Sequence, residues 1–284
     1  MFNEPTFKTI ATMLLCAAVT SCGGSKDDPE ALNMLNQAEQ SLSANAPEKA
    51  ITIIDSLNKV YPKELNVRRK AMYLRTLADS ALIVKEAAQT DSIIKADSVI
   101  YLQLKPQFTF IKTKDMVEGY YVAKSLQGHP LYERTGLEPR IDEQGNIFVA
   151  SCVFGKAINH VRLEASAAAS SASTKDVPYD DSTNYRYTTD RGACEMVTFH
   201  IDKCEDFCKF IADNASSKIR VSYIGKGRTS ITLSPELAKT FAETYQFAQA
   251  MQSGKSASAK QIYLAKKKEL NRQQMARTAA EIKE

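Results

Sequence analysis

Apolar and polar positions alternate along this chain with two different periods. Between Glu30 and Lys105 the apolar residues recur every three or four positions, the spacing of one helix face. Leu32, Leu35, Ala38 and Leu42 form a first stripe. The segment SANAPEKA interrupts it, with Asn45, Pro47 and Glu48 supplying turn and helix-start chemistry. Ala50, Ile53, Ile54 and Leu57 form a second stripe that ends before Pro62. From Glu64 to Lys105 there is neither Gly nor Pro, and Val67, Ala71, Leu74, Leu77, Ala78, Ala81 and Val84 share a side. A continuous helix there would be about 60 Å long at the usual rise per residue. Its apolar stripe weakens over residues 87–92, which predicts a kink or a break.

From Phe108 the period becomes two. FTFIK, GYYVAKS, NIFVASCVF, INHVRLEA, NYRYTT, CEMVTFHI, KIRVSYIG and RTSITL read as strands. Turn residues separate them, and Gly225-Lys226-Gly227 predicts an antiparallel hairpin between Ile219–Ile224 and Thr229–Leu233. One short helix, Cys204 to Ala215, crosses between strands. Residues 165–184, rich in Ala and Ser, read as a mobile exposed loop. Helical spacing returns at Pro235, with Ser234 as N-cap and Leu237, Phe241, Tyr245 and Ala248 as the buried stripe. QSGKSAS, residues 252–258, predicts a break, and Lys260–Glu284 a separate basic helix.

The expected fold class is therefore α+β. A helical region (31–106) with a hairpin and a long helix leads to a β-rich domain (107–234), an antiparallel β-sandwich or open barrel, and C-terminal helices follow (235–284). Apolar residues make up 44% of the chain and charged residues 25%, as in a packed soluble protein. The net charge of +4 is a property of the tail, where Lys255–Glu284 holds eight cations and three acids. The body lacks the basic footprint of a nucleic-acid binder, so no nucleic-acid partner is expected.

Candidate chemistry is sparse. Gly-x-Ser-x-Gly is absent, and GKGRTS (225–230) lacks phosphate-loop spacing and precedes a strand. YDDSTN lacks calcium-loop spacing. No cofactor, metal or catalytic residue is assigned. His200, Cys204 and Cys208 would share a helix face only if His200 were helical, and a closed zinc site needs a fourth ligand. The histidines His129, His160 and His200 read as surface or strand residues, although His160 or His200 beside a carboxylate in a cleft would favour an enzyme. Cys152, Cys194, Cys204 and Cys208 are either buried thiols or disulfide partners; Cys194–Cys204 is one conceivable pair, and the Cys204–Cys208 spacing suits two separate partners better than each other. Trp is absent, which mildly disfavours a sugar-stacking surface; an exposed coplanar row among Tyr120, Tyr121, Tyr185 and Tyr187 would favour one.

The N-terminus carries the most specific signal. Thr9–Val19 is an uncharged run of eleven residues, too short to span a bilayer and suited to a secretory apolar region. Val19-Thr20-Ser21-Cys22 follows. This resembles the lipobox of bacterial lipoproteins, which implies cleavage between Ser21 and Cys22, a signal peptide at 1–21, acylation of Cys22 and a lipidated linker over 22–30. Ser25-Lys26-Asp27-Asp28 is similar to the surface-export signal of Bacteroidetes-type lipoproteins. The helix–turn–helix over Glu30–Val60, with Ala38 and Ala50 as small packing residues, resembles one tetratricopeptide-type repeat; a plain helical hairpin gives the same pattern. Together these imply an outer-membrane lipoprotein held by its lipid anchor, at the cell surface or facing the periplasm. Its expected role is non-enzymatic binding of a protein or an envelope glycan. The alternatives are an envelope enzyme acting on glycan or peptide, and a glycan-binding module.

Overall fold

Helix α1 (Pro29–Ser43) starts where its cap does. The Asp28 carboxylate accepts the backbone N–H groups of Glu30 and Ala31, and Pro29 occupies the first turn. In this computed structural model, residues 27–128 and 130–283 are described. Asn45 adopts a left-handed conformation, φ 57°, and turns the chain into α2 (Pro47–Val60). Helix α3 (Leu65–Leu104) follows. Two compact units are built from these described residues, one from 27–91 and 259–283, the other from Ser92–Ser258.

In the first unit, Ala31, Leu35, Ala38, Ile54, Leu57, Val67, Ala71 and Leu74 close one core. Ala38 and Ala50 are both fully buried. The end of helix α5 (Pro235–Glu281) completes this unit. The Asn271 side-chain amide donates to the Thr76 carbonyl at 2.9 Å, and Gln261 donates to Asp91 at 3.0 Å, so α5 runs antiparallel to α3 here.

The second unit holds two open antiparallel sheets. The larger has the order β1 (Phe108–Ile111), β2 (Tyr120–Ala123), β3 (Gly136–Asp142), β4 (Ile147–Gly155), β8 (Gly192–Phe199), β7 (Asn184–Thr189). The smaller runs β10 (Arg228–Thr232), β9 (Arg220–Ile224), β5 (Arg162–Ala167), β6 (Ser170–Ser173). Helix α4 (Ile201–Asp213) touches β4 and β8 of one sheet and β5 and β6 of the other. Its Phe207 meets Phe241 of α5 at 6.5 Å between ring centres. Phe247, also on α5, packs against Tyr101 of α3, Phe108 of β1 and Tyr121 of β2. The N-terminal part of α5 thus covers the β1–β2 edge and the end of α3.

Four expectations need correction. Residues 165–173 are two paired strands and a tight turn, not a loop, while 174–183 run without strand or helix and are mostly exposed. Leu163, Ala165 and Ala167 face the core at alternate positions, and β6 pairs with them. Thr174 then ties back to Leu163 through its hydroxyl and its backbone N–H. On β5 Ala165 and Ala167 are buried in the core that α4 also lines, whereas Ser170, Ser171 and Ser173 of β6 are exposed. Helix α5 does not break at 252–258, since Gln252 bonds Asn146, Lys255 bonds the Glu143 carbonyl, and Ala257 is buried. Helix α3 is unbroken at residues 87–92; Thr90 is buried there with its hydroxyl on the Glu86 carbonyl. Strand β3, missed because Pro139 and two charged residues interrupt its pattern, is an inner strand whose Glu138 pairs with Arg140.

Candidate functional site

The chemistry-bearing residues gather on the two faces of the β4–β8 pair. Ser151 lies opposite Val197, and Glu195 lies opposite Val153. Ser151 and Glu195 therefore share one face, the face that also carries Val149, Val197 and Phe199 into the core. The chain from β4 to β5 brings His160 over this face. The His160 ring nitrogen Nδ1 lies 3.0 Å from Glu195 Oε2, and Nε2 lies 3.0 Å from Ser151 Oγ. The Glu195 carboxylate also accepts the backbone N–H of His160 at 3.0 Å and of Asn159 at 2.6 Å. The Asn184 side chain donates to the carbonyls of His160 and Val177.

Serine, histidine and carboxylate in this order have the connectivity of an acyl-transfer triad. Their setting is different. Ser151 and His160 are 0% exposed and Glu195 is 1% exposed. The Ser151 hydroxyl has one proton and two acceptors, His160 Nε2 and the Val197 carbonyl at 3.2 Å. Burial acts to raise the Glu195 carboxyl, but the His160 ring and the two backbone N–H donors outweigh it and hold the group at about 2. The carboxylate is thus ionised and fully bonded inside the core. What the cluster does physically is clamp β4 and β8 of one sheet to the segment entering β5 of the other. His160, expected at the surface or in a strand, is buried at the junction instead. A signal for it was present: Glu195 occupies core parity in CEMVTF, and a charge there needs a partner.

The other face of the same pair carries Cys152 and Cys194. Their sulfurs are 3.5 Å apart, both fully buried, and both free thiols. A helical turn at Leu131–Glu133 covers them, with the Tyr132 carbonyl 3.7 Å from the Cys194 sulfur. Burial pushes the Cys152 thiol well up, and its contact with Cys194 adds to this. Cys204 and Cys208 lie on α4 in the core between the sheets, so Cys194 and Cys204 belong to opposite faces and do not pair. Cys204 donates to the Phe199 carbonyl at 3.1 Å. Burial, then the neighbouring Cys204 thiol, raises Cys208. His200 caps α4 from an extended conformation and stacks on Phe148, off the Cys204–Cys208 face. Among the described residues, no three His, Cys, Asp or Glu side chains are placed to hold a metal ion.

Beyond Cys194 and Met196, on the edge strand β7, stand Tyr185 and Tyr187. They pair across to Met196 and Cys194. Their rings lie 6.2 Å apart and within 14° of parallel, 36% and 38% exposed. Tyr132 is exposed beside the same thiols, and the Arg191–Glu133 ion pair crosses nearby. The Cys194 thiol beside its hydroxyl raises the Tyr187 phenol. Tyr120 is half-buried under Arg140, 4.5 Å from its ring, and Tyr121 is half-buried against Phe110 and Phe247. The four tyrosines therefore form no single row; only Tyr185 and Tyr187 make an exposed pair. Elsewhere in this unit Leu102, Lys105, Pro106, Phe108, Phe110 and Tyr121 line an open groove of about 570 Å³.

His129 and the residues Ser21, Cys22, Ser25 and Lys26 lie outside the described residues, as does the whole of the signal segment. Asp27 and Asp28 are described, and Asp28 is the α1 cap. No helix among the described residues is long and apolar enough to cross a membrane. No protein-family model, no curated protein and no solved structure matches this chain.

Proposed function

We propose that this chain is a lipid-anchored binding protein of the bacterial outer membrane, without catalytic activity, whose contact surface is the tyrosine-bearing edge of the larger sheet. The observation that carries the binding assignment is the exposed, near-parallel pair Tyr185 and Tyr187 on strand β7. Two large rings held parallel on a strand offer flat apolar area with hydroxyls at its margin, which suits a sugar face or a protein side-chain cluster. The lipobox-like Val19–Cys22 supports the anchor, and the run ending at Asp28 supports display at the surface. An acyl chain on Cys22 together with one on the new amino group would hold the body stably on the membrane.

A second reading, an envelope hydrolase, draws on the Ser151–His160–Glu195 chain of hydrogen bonds. Burial of all three argues for the clamp, because substrate cannot reach Ser151 Oγ without separating the sheets.

Affinity capture of the lipidated protein from intact membranes tests the assignment. Recovery of a stoichiometric protein or a retained glycan, lost in the Tyr185→Ala/Tyr187→Ala variant, supports it. Recovery of the protein alone, with turnover of envelope glycan or peptide that Ser151→Ala abolishes, replaces it with the hydrolase.

A further inference from the structure

The last turns of α5 present two different faces. Leu264, Asn271 and Thr278, seven residues apart, are buried in the first unit. Away from them run Ile262, Lys266, Leu270 and Arg277, with Tyr263 alongside and the half-buried Lys267 at the margin toward the buried side. These positions are spaced by three, four or seven, so they form one continuous surface. It combines large exposed apolar groups with cations: Ile262 is 61% exposed, Tyr263 60% and Leu270 66%. Among the described residues Lys266, Lys267 and Arg277 have no ion-pair partner; of the acids nearby on α5, Glu269 is occupied by Arg272 and Gln273, and Glu281 stands exposed one turn beyond Arg277, leaving the face net cationic. An exposed helix face of this kind, cationic with interspersed Leu, Ile and Tyr, matches the chemistry of an anionic bilayer surface.

The position of the chain end agrees. Cys22 precedes Pro29 by seven residues, a span of at most about 25 Å. Helix α1 and the end of α5 belong to the same unit. A unit tethered so closely at its N-terminus keeps this face within reach of the same bilayer.

We infer that the Ile262–Lys266–Leu270–Arg277 face, with Tyr263 and Lys267, is a second membrane contact that rests on anionic phospholipid headgroups beside the acyl anchor. The inference builds on the lipid-anchor reading but has its own test. A lipid chain and a basic face together give the two signals that stable peripheral attachment needs.

The test uses the full chain with Cys22→Ser, so that no acyl group is present, on vesicles of phosphatidylcholine alone and of phosphatidylcholine mixed with phosphatidylglycerol. Any binding through the apolar Thr9–Val19 run is common to both and is read on the neutral vesicles. Three cations near the surface should favour the anionic vesicles by about a hundredfold. That preference should fade with added salt and vanish in Lys266→Glu/Lys267→Glu/Arg277→Glu, whose thermal melt should stay close to the parent because Lys266 and Arg277 are exposed and the half-buried Lys267 makes no ion pair among the described residues. Equal binding to both vesicles, or a preference that survives charge reversal, overturns the inference. A dimer in solution that Leu270→Asp dissolves, with no vesicle preference, would make the face a protein interface instead. If the natural protein lacked an acyl group while the vesicle preference persisted, the anchor would fail and this surface would stand.

Discussion

His160 Nδ1 sits 3.0 Å from Glu195 Oε2, in a pair so buried that neither side chain touches solvent appreciably. Removing one partner of such a pair strands the other in the core. Glu195→Ala is expected to destabilise the protein by about 3–5 kcal/mol, read by urea unfolding. Ser151→Ala removes only a neutral hydroxyl bond, and about 1 kcal/mol is expected. A Glu195→Ala variant as stable as the parent would show that the clamp does not hold the sheets together.

The same carboxyl sets an acid limit. Its folded-state value, about 2, lies below the ordinary 4.5. The stability it contributes is therefore present above the ordinary carboxyl range and is lost as pH falls through that range toward about 2. Glu195→Gln should flatten this part of the stability-against-pH curve. An unchanged acid slope would place the responsible groups elsewhere.

Tyr223 is fully buried on β9 and packs edge-on against His160 at 5.7 Å, yet its hydroxyl has no hydrogen-bond partner among the described residues. Burial raises this phenol far above its ordinary range. Tyr223→Phe deletes the unsatisfied oxygen and keeps the ring, so stability should stay level or rise by about 1 kcal/mol. A loss of more than that in thermal unfolding would mean that the hydroxyl is bonded in solution, for instance to buried water.

Asp28 carries two assignments, the export-like run and the α1 cap. Substituting Ala removes both, at a cost of about 1 kcal/mol to the helix. Asp28→Asn keeps a capping oxygen and removes the charge. If the run directs surface display, Asp27→Asn/Asp28→Asn should leave acylation and stability intact and reduce protease access on whole cells. Unchanged access would remove the display proposal without touching the cap.

Cys152, Cys194, Cys204 and Cys208 are all buried. Burial keeps Cys152 and Cys208 in the unreactive thiol form. Mass spectrometry after alkylation at neutral pH should find these two unlabelled until denaturant is added. Labelling of Cys152 in the native protein would show that the Leu131–Glu133 cover opens.

Local pattern alone placed most elements. Period three-to-four marked α1, α2 and the Ser234-capped start of α5, and period two marked β4, β8 and the β9–β10 hairpin, because side-chain direction follows from backbone geometry within a few residues. The lipobox-like residues are legible for the same reason, as their chemistry is contiguous. Tertiary structure decided what depends on distant partners. Glu195 and His160 are 35 residues apart, and only the pairing of β4 with β8 brings them together. Residues 252–258 stay helical because Asn146 and Glu143, more than a hundred positions earlier, hold them. The Ala- and Ser-rich strand β5 forms because Leu163, Ala165 and Ala167 are buried and β9 and β6 pair on either side of it, and low complexity by itself cannot distinguish a small residue in a sheet from a small residue in a loop.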